Sequence, residues 1–496
     1  MKPTDVAIVG AGPAGLAAAQ AARNEGCTVT IIDDQDTPGG QFFRQPSALL
    51  GQTGRDRFSS KPAIAQRLFR VLDDPAVDYR PSTTVWNIPD SGVLALACEG
   101  SASRLHAKTT IVAAGAHDRC VPFPGWTLPG VMTAGGAQNL LKGQRVLPGQ
   151  RTLVTGNGPL TLVVAASILR AGGHLAAVTE AAPVSSRLPG LIAGLLAVPS
   201  LLMLAASYRA RLVMAGVPLL NGHTIVEARG ADKVEEVVVA RLRRDGVPEV
   251  SHSQTYAVDS VVVGYGLQCS SELTRLAGCE LSYRQLSGGW IPRRGHWLES
   301  TLPGLFVGGD SAMISGGETA LTEGALAGLG AAKQARGALS AAGARRADQL
   351  RSKLIRLARF RTTLEQLFEV PASFAALRRP DTIICRCEDV TAGQIEELCR
   401  DSNLSLSDIK TRTRASMGRC QGRNCLAGIA EMVAAIQDKS IAELGWPRAR
   451  APARLVPISA LLCESIKPPV MPADPHLPRA QPTAQARPRP AARPQS

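Results

Sequence analysis

Aromatic side chains are scarce in this chain of 496 residues: Phe, Trp and Tyr make up 4%, against 45% apolar residues overall. Single-stranded nucleic acid is held on aromatic platforms inside basic grooves. The excess of 55 Lys and Arg over 41 Asp and Glu therefore does not read as a nucleic-acid interface, and no nucleic-acid partner is expected. A C-x-x-C pair is also missing, which excludes an internal redox dithiol of that type. Six of the 11 cysteines, Cys27, Cys98, Cys120, Cys269, Cys279 and Cys463, are scattered without pairing rhythm. No signal peptide opens the sequence, and together these point to a reducing cytoplasm. Long apolar runs are few. Leu188–Ser207 is free of charge, a length close to the ~20 residues of a membrane span. However, Pro189, Gly190, Gly194, Pro199 and Ser200 interrupt it. The expectation is a buried or interfacial helix pair, with membrane association at most peripheral, at the inner face.

What is present starts with the remaining cysteines. Cys385 and Cys387, then after 32 residues Cys420 and Cys425, form a C-x-C and C-x4-C set. Two thiols one residue apart cannot form an unstrained disulfide, because its Cα atoms sit about 4.4–6.8 Å apart with converging Cβ vectors. Metal ligation is the better reading. Structural zinc favours knuckles of the C-x2-4-C kind, whereas four thiolates on irregular loops suit a [2Fe–2S] cluster. Zinc, or a chance pair of short motifs, stays as the competing reading. Gly418, Gly422 and Gly428 are expected to turn backbone N–H groups toward the sulfurs. Cys399 lies on a helix that Thr391 caps and reads as a buried, inert thiol.

The N-terminus carries the second signal. Thr4–Val9 is an apolar strand, Gly10-Ala11-Gly12-Pro13-Ala14-Gly15 follows, Leu16–Asn24 has helical composition, and Thr28–Ile32 is a second strand ending in Asp33 and Asp34. Strand, glycine turn, helix and acid together make a strong dinucleotide fingerprint. Gly10 serves the tight turn, Gly12 the approach of a pyrophosphate and Gly15 the close packing of helix on strand, with the phosphates at the helix N-terminus. Asp34 is the first choice for the ribose hydroxyls, Asp33 the alternative. Two later strands end in small residues, Ile111–Gly115 with Ala114 and Gly115, and Leu305–Asp310 with Gly309 and Asp310. They push the ligand toward FAD, with Asp310 placed for the ribityl chain.

A copy of this unit follows. Arg151–Thr155 is a strand, Gly156-Asn157-Gly158-Pro159-Leu160-Thr161 the turn, a helix runs to about Arg170, and the strand Leu175–Thr179 ends in Glu180. Thr161 replaces the third glycine, so a retained fold without a ligand competes with binding of NAD or another adenine nucleotide. If a nucleotide binds, Glu180 is expected to repel a 2′-phosphate and favour NAD.

Motif by motif, GAGPAG, DDQDTPGGQ, AAG and GGD resemble the FAD signatures of flavoproteins with two dinucleotide domains, and that likeness adds Gly40 and Gln41 to the FAD site. Three longer stretches, Ala113–Arg119, Val121–Val131 and Arg386–Thr391, together with Met417–Cys425 and Arg454–Pro457, extend the likeness. Over residues 1–465 the chain resembles the α subunits of heteromeric FAD-linked amine and amino-acid dehydrogenases of the opine oxidase, D-hydroxyproline dehydrogenase and hydrogen cyanide synthase kind. The Met417–Cys425 stretch resembles a bacterioferritin-associated-ferredoxin-like (BFD-like) [2Fe–2S] module. The resemblance implies an α/β fold with two Rossmann-like domains of the glutathione-reductase type and a small, mainly helical [2Fe–2S] domain. The expected boundaries are 1–145 with 266–340 for FAD, 146–265 for the inserted nucleotide domain, 341–377 for an Arg-rich helical connector, and 378–440 for the cluster domain. A C-terminal extension, 441–466, and a disordered tail, 467–496, complete the expected organisation. It further implies a partner β subunit resembling glycine and sarcosine oxidases, which oxidises the amine, and a small third subunit in some assemblies. Electrons would pass on to a quinone or cytochrome. A self-sufficient NADH-dependent reductase is the alternative. No catalytic residue is assigned, and His117 reads as positional.

Overall fold

Two parallel sheets, each organised around a glycine turn that feeds a helix, carry most of the chain in this computed structural model, which describes residues 4–47, 50, 62–182, 199–367, 374, 377–400 and 403–462. In the first sheet the parallel strands Val77–Arg80, Val29–Ile32, Thr4–Val9, Ser101–Val112 and Leu305–Val307 lie side by side. Ser101–Val112 belongs to two pairings at once. Its C-terminal half pairs in parallel with Thr4–Val9, and its N-terminal half closes an antiparallel meander with Val93–Cys98 and Thr84–Asp90. Thr4–Val9 and Val29–Ile32 are apolar and buried because helices cover the sheet, as a parallel sheet requires. One of those helices, Pro13–Asn24, crosses Gly317–Arg336 at backbone contact: a Cβ added at Gly324 or Gly328 would run into the carbonyls of Ala14 and Ala18.

The second sheet has the order Leu219–Asn221, His174–Glu180, Arg151–Gly156, Ser260–Gly264 and Val131–Thr133, all parallel. A three-stranded antiparallel sheet, His223–Arg229, Glu236–Leu242 and Pro248–Ala257, joins it. Val131–Thr133 corrects the expected boundary at residue 145, because this strand hydrogen-bonds into the second sheet through Val261–Val263. The chain instead crosses between the units on the antiparallel pair Ala116–Asp118 and Leu267–Cys269.

The helix Ala341–Leu367 lies within the Arg-rich connector. Ala347, Leu350 and Leu357 face inward at helical spacing while Arg345, Arg346 and Arg356 are exposed. Of the charge-free run only 199–207 falls in a described helix, Pro199–Met214; 188–198 lies outside the described residues. Met203, at 73% exposure, and Leu204 stand at the surface, so this piece is interfacial rather than buried. No helix among the described residues is long and apolar enough to cross a membrane. The expected tail, 467–496, and Cys463 also lie outside the described residues.

The C-terminal unit packs the short strands Ile383–Cys385 and Val390–Thr391 against Ala392–Cys399, Leu406–Thr413 and Leu426–Ile436 around Ile384, Ile395, Ile409, Ile429 and Val433. Thr391, Ser405 and Ser440 each close a capping box, and such caps contribute about 1 kcal/mol apiece. Ile441, Leu444 and Trp446 pack on the same core, so the unit runs past residue 440. Beyond it the extension returns to the first sheet, where the Ala453 N–H donates to the Trp86 carbonyl (2.8 Å).

Candidate functional site

The first glycine turn is fixed by sterics. Gly10 has φ +107°, a left-handed value that suits glycine, and a Cβ at Gly15 would collide with the Gly10 carbonyl. The loop opens onto a cavity of about 1320 Å³. Gly10, Gly12, Pro13, Ala14, Asp33, Asp34, Gly40, Gln41, Ala114, Gly115 and Asp310 line it, with Glu180 on the far side. Gly15, Gly309, Gly156 and Gly158 do not. Gly15 packs beneath Gly10, and Gly309 sits against Ala14 while its N–H donates to Glu323 (2.9 Å). Gly156 packs on Gly264 and Thr161, and Gly158 caps the helix Pro159–Arg170.

The two acids after Val29–Ile32 separate cleanly. Asp33 is buried and accepts from the N–H groups of Ala11 and Gln35, and burial pushes its carboxyl up to about 6. It braces the turn. Asp34 is exposed on the cavity rim, where it accepts from the neighbouring Gln35 side chain (2.9 Å).

At the other end Asp310 accepts from the Ser315 N–H (3.1 Å), and desolvation raises its carboxyl above the ordinary range. A buried pair, Arg294 with Glu323 (2.8 Å), supports this turn, and Arg294 also donates to the Val307 carbonyl. These two residues gave no signal in the sequence, being far apart and outside any motif. His117 lines the cavity as well, and its Nδ1 is buried without a hydrogen-bond partner among the described residues. A glycine cradle that admits no Cβ at Gly10, Gly15 or Gly40 and stays open at Gly12, a rim carboxylate, a second carboxylate at the far end and an orphaned ring nitrogen together fit an elongated dinucleotide flavin.

The second unit departs from the expectation. Thr161 is buried against Gly156, and its hydroxyl has no partner among the described residues. Glu180, buried, pairs with Arg209 at 2.6 Å, and Arg209 also bonds Asn221 (3.1 Å). Arg170 and Arg211 line the same part of the cavity. The expected selection of NAD by Glu180 is therefore corrected: a carboxylate already paired to an arginine presents no lone negative charge to a 2′-phosphate.

The four C-terminal cysteines converge. All are free thiols, and their side chains touch in the order Cys387, Cys420, Cys425, Cys385. Hydrogen bonding from Cys425 pulls Cys385 down to about 6 and Cys420 to about 5, while Cys425 itself is pushed far up as their donor. The Cys420 sulfur accepts from the N–H groups of Asn424 and Gly422, and the Cys385 sulfur from those of Ser416, Cys387 and Glu388. Gly422 thus does what was expected. Gly418 instead makes room for Cys387, and Gly428 lies in the helix Leu426–Ile436 against Pro122, so those two are corrected to packing roles. Among the described residues no three His, Cys, Asp or Glu side chains surround one point as ligands of a single ion. An all-sulfur quartet arranged as a chain with inward amides fits a two-iron cluster better than one zinc. Cys399 is buried on its capped helix, with its thiol raised by desolvation.

Cluster unit and flavin unit are joined by polar side chains. Arg119 pairs with Glu431 (2.6 Å), Trp126 Nε1 donates to the Ile383 carbonyl (2.6 Å), and Arg423 pairs with Glu272 (2.7 Å). Arg423 lies within the Cys420–Cys425 loop and also donates to the carbonyls of Cys420 (3.1 Å) and Ala453 (2.7 Å).

Comparison with known proteins agrees with this geometry. Residues 4–339 match the pyridine nucleotide-disulphide oxidoreductase family and residues 383–435 the BFD-like [2Fe-2S] binding domain. Hydrogen cyanide synthase subunit HcnB of Pseudomonas aeruginosa is 33% identical over 463 residues, 91% of this chain and 97% of that protein. One opine oxidase subunit of Rhizobium meliloti is 31% identical over 479 residues, 92% of this chain and 87% of that protein. The solved L-proline dehydrogenase of P. horikoshii superposes with a TM-score of 0.64 at 21% identity, covering 92% of this chain and 79% of that one. The chain belongs to the pyridine nucleotide-disulphide oxidoreductase family, as an FAD-dependent oxidoreductase that also carries a BFD-like [2Fe–2S] domain and is related to subunits of heteromeric oxidases and synthases.

Proposed function

We propose that the chain is the electron-transfer α subunit of a heteromeric dehydrogenase or oxidase acting on the C–N bond of an amino acid, imino acid or opine. The observation that carries this reading is the docking of the cysteine-bearing unit on the flavin unit, through Arg423 and Glu272 beside a small cavity that shares His117 with the flavin cavity, in a chain with no C-x-x-C dithiol. FAD, when bound, accepts an electron pair and the cluster passes single electrons. On this reading Gly10, Gly12, Pro13, Ala14, Asp34, Gly40, Gln41, Ala114, Gly115 and Asp310 hold FAD, with Gly15, Asp33 and Gly309 bracing the turns. Cys385, Cys387, Cys420 and Cys425 hold the cluster. The substrate is oxidised on a partner β subunit of the glycine and sarcosine oxidase kind, and a quinone or cytochrome takes the electrons in the cytoplasm or at the inner membrane face.

One observation favours a second reading, an NADH-dependent reductase: the inserted unit keeps Gly156 and Gly158 and its wall is continuous with the flavin cavity. Anaerobic titration of the reconstituted chain with NADH, followed by visible absorbance and EPR, separates the two. The reading as an electron-transfer chain expects no flavin bleaching until both an amine substrate and the partner that oxidises it have been added. Rapid bleaching with a reduced [2Fe–2S] signal from NADH alone would overturn it.

A further inference from the structure

Between the flavin unit and the cluster unit lies a second, smaller cavity of about 80 Å³, walled by His117, Gln268, Glu272, Arg275, Arg423 and Trp446. Polar side chains line part of its wall, and it is large enough to hold water. Among the described titratable residues only His117 lines both this cavity and the flavin cavity. Its ring is hydrogen-bonded by Gln268 on the paired strand Leu267–Cys269, and its Nδ1 has no partner among the described residues. Glu272 and Arg423 wall the same cavity as His117, Arg423 pairs with Glu272 at 2.7 Å, and Arg423 donates to the Cys420 carbonyl at 3.1 Å.

This arrangement answers a problem posed by the function proposed above, on which the inference rests. A reduced flavin gives up protons as well as electrons, while an iron–sulfur cluster takes electrons singly and no proton. A proton acceptor is needed where electrons leave the flavin. We infer that His117 takes up the proton released as electrons pass from flavin to cluster, and hands it through the Glu272–Arg423 cavity to solvent. In each turnover the anionic reduced flavin loses two electrons and one proton: the electrons go one at a time through the cluster to the one-electron acceptor beyond it, and the proton goes to the His117 Nδ1.

The other titratable groups nearby are committed. Asp118, on the same strand, accepts from Thr133 (2.8 Å) and the Gly135 N–H (3.0 Å), and Asp310 accepts from Ser315. Burial lowers the proton affinity of His117, so its ring rests neutral and ready to accept. Glu272 favours the imidazolium, whereas Arg423 and Arg454 oppose it and push the proton onward. Burial acts to raise Glu272, yet Arg423 and Arg454 lead the charges that outweigh it and keep it ionised below the ordinary carboxylate range.

The test is rapid mixing of the fully reduced holo-chain with ferricyanide from pH 9 down to the lowest pH at which the chain stays folded, reading flavin re-oxidation by absorbance and the cluster by freeze-quench EPR. The wild-type rate should rise through a single inflection as His117 becomes neutral. His117→Gln should lose that inflection and slow by on the order of 10²-fold, as for removal of a positioned general base, with partial rescue by added imidazole. Glu272→Gln should move the inflection to lower pH, since it removes the anion that favours the imidazolium. Loss of a structural side chain moves no inflection. The pH dependence of the flavin midpoint potential gives an equilibrium readout independent of turnover. Flavin-to-cluster transfer with the same pH profile in wild type and His117→Gln overturns the inference alone. Flavin re-oxidation in wild type with no change in the cluster signal overturns the electron-transfer reading itself.

Discussion

The two dinucleotide units are copies in sequence and in strand order, yet they spend their acids differently. In the first, one aspartate of the pair is consumed by the turn and the other stands on the cavity rim. In the second, the single acid Glu180 is buried and paired to Arg209. A glycine fingerprint shows where a helix N-terminus will sit. Whether the acid at the end of the next strand faces a ligand depends on what the rest of the chain brings to it.

The comparison is broken most forcefully at the close contact the units do not share. Gly15→Val pushes a branched side chain into the Gly10 carbonyl, which nothing can relieve without moving the turn. The expected loss is about 3 kcal/mol or more, on the order of 100-fold in FAD affinity, read by release of flavin fluorescence. Normal flavin retention in this variant would mean that the first turn is not the cradle described. Arg209→Ala comes next. It removes the cation 2.6 Å from a buried carboxylate. A fully buried pair broken this way costs ~3–5 kcal/mol, but Arg209 is about a third exposed, so roughly 2 kcal/mol is expected, as a lowered thermal midpoint. A readout specific to the comparison goes with it: affinity for NADPH should fall relative to NADH, because the variant restores the lone negative charge.

How much of this was legible follows the range of the interactions. Thr4–Val9, Pro13–Asn24 and His174–Glu180 are short-range patterns of apolar spacing and glycine, and the structure places them within a residue or a few of the reading. The convergence of Cys385, Cys387, Cys420 and Cys425 was legible too, because thiol chemistry leaves few alternatives. Three features were not. Val131–Thr133 has no local sign of which sheet it will enter, since its partner Val261–Val263 lies far along the chain. Arg209 sits on a helix after the charge-free run and announces no tie to Glu180. His117 looks the same in sequence whether it is positional or set between two cavities, and only the return of Leu267–Cys269 and of the Cys420–Cys425 loop makes it the latter.

Asp34→Asn sharpens the comparison with a smaller effect. A rim carboxylate that accepts from ribose hydroxyls contributes about 1.5–3 kcal/mol, reduced at the solvent-facing rim to roughly tenfold in FAD affinity, measured by titration of the apo-chain. The matched change Glu180→Gln should leave FAD affinity unaltered, because Glu180 stands in the other unit.

Thr161→Gly carries the smallest expected change in stability and tests why the second unit differs. Deleting the side chain removes about 0.8 kcal/mol of buried methyl and adds a few tenths in helix propensity. It also removes a buried hydroxyl with no partner among the described residues, a group whose desolvation costs ~1–3 kcal/mol. These terms oppose one another, so the thermal midpoint should hardly move. The informative quantity is nucleotide affinity. If the Glu180–Arg209 pair sets what this site accepts, regenerating the third glycine leaves NADH binding by calorimetry unchanged. A tenfold gain would instead place the difference between the two units in the helix–strand contact at Thr161 and Gly156, and would make the acid pairing its consequence rather than its cause.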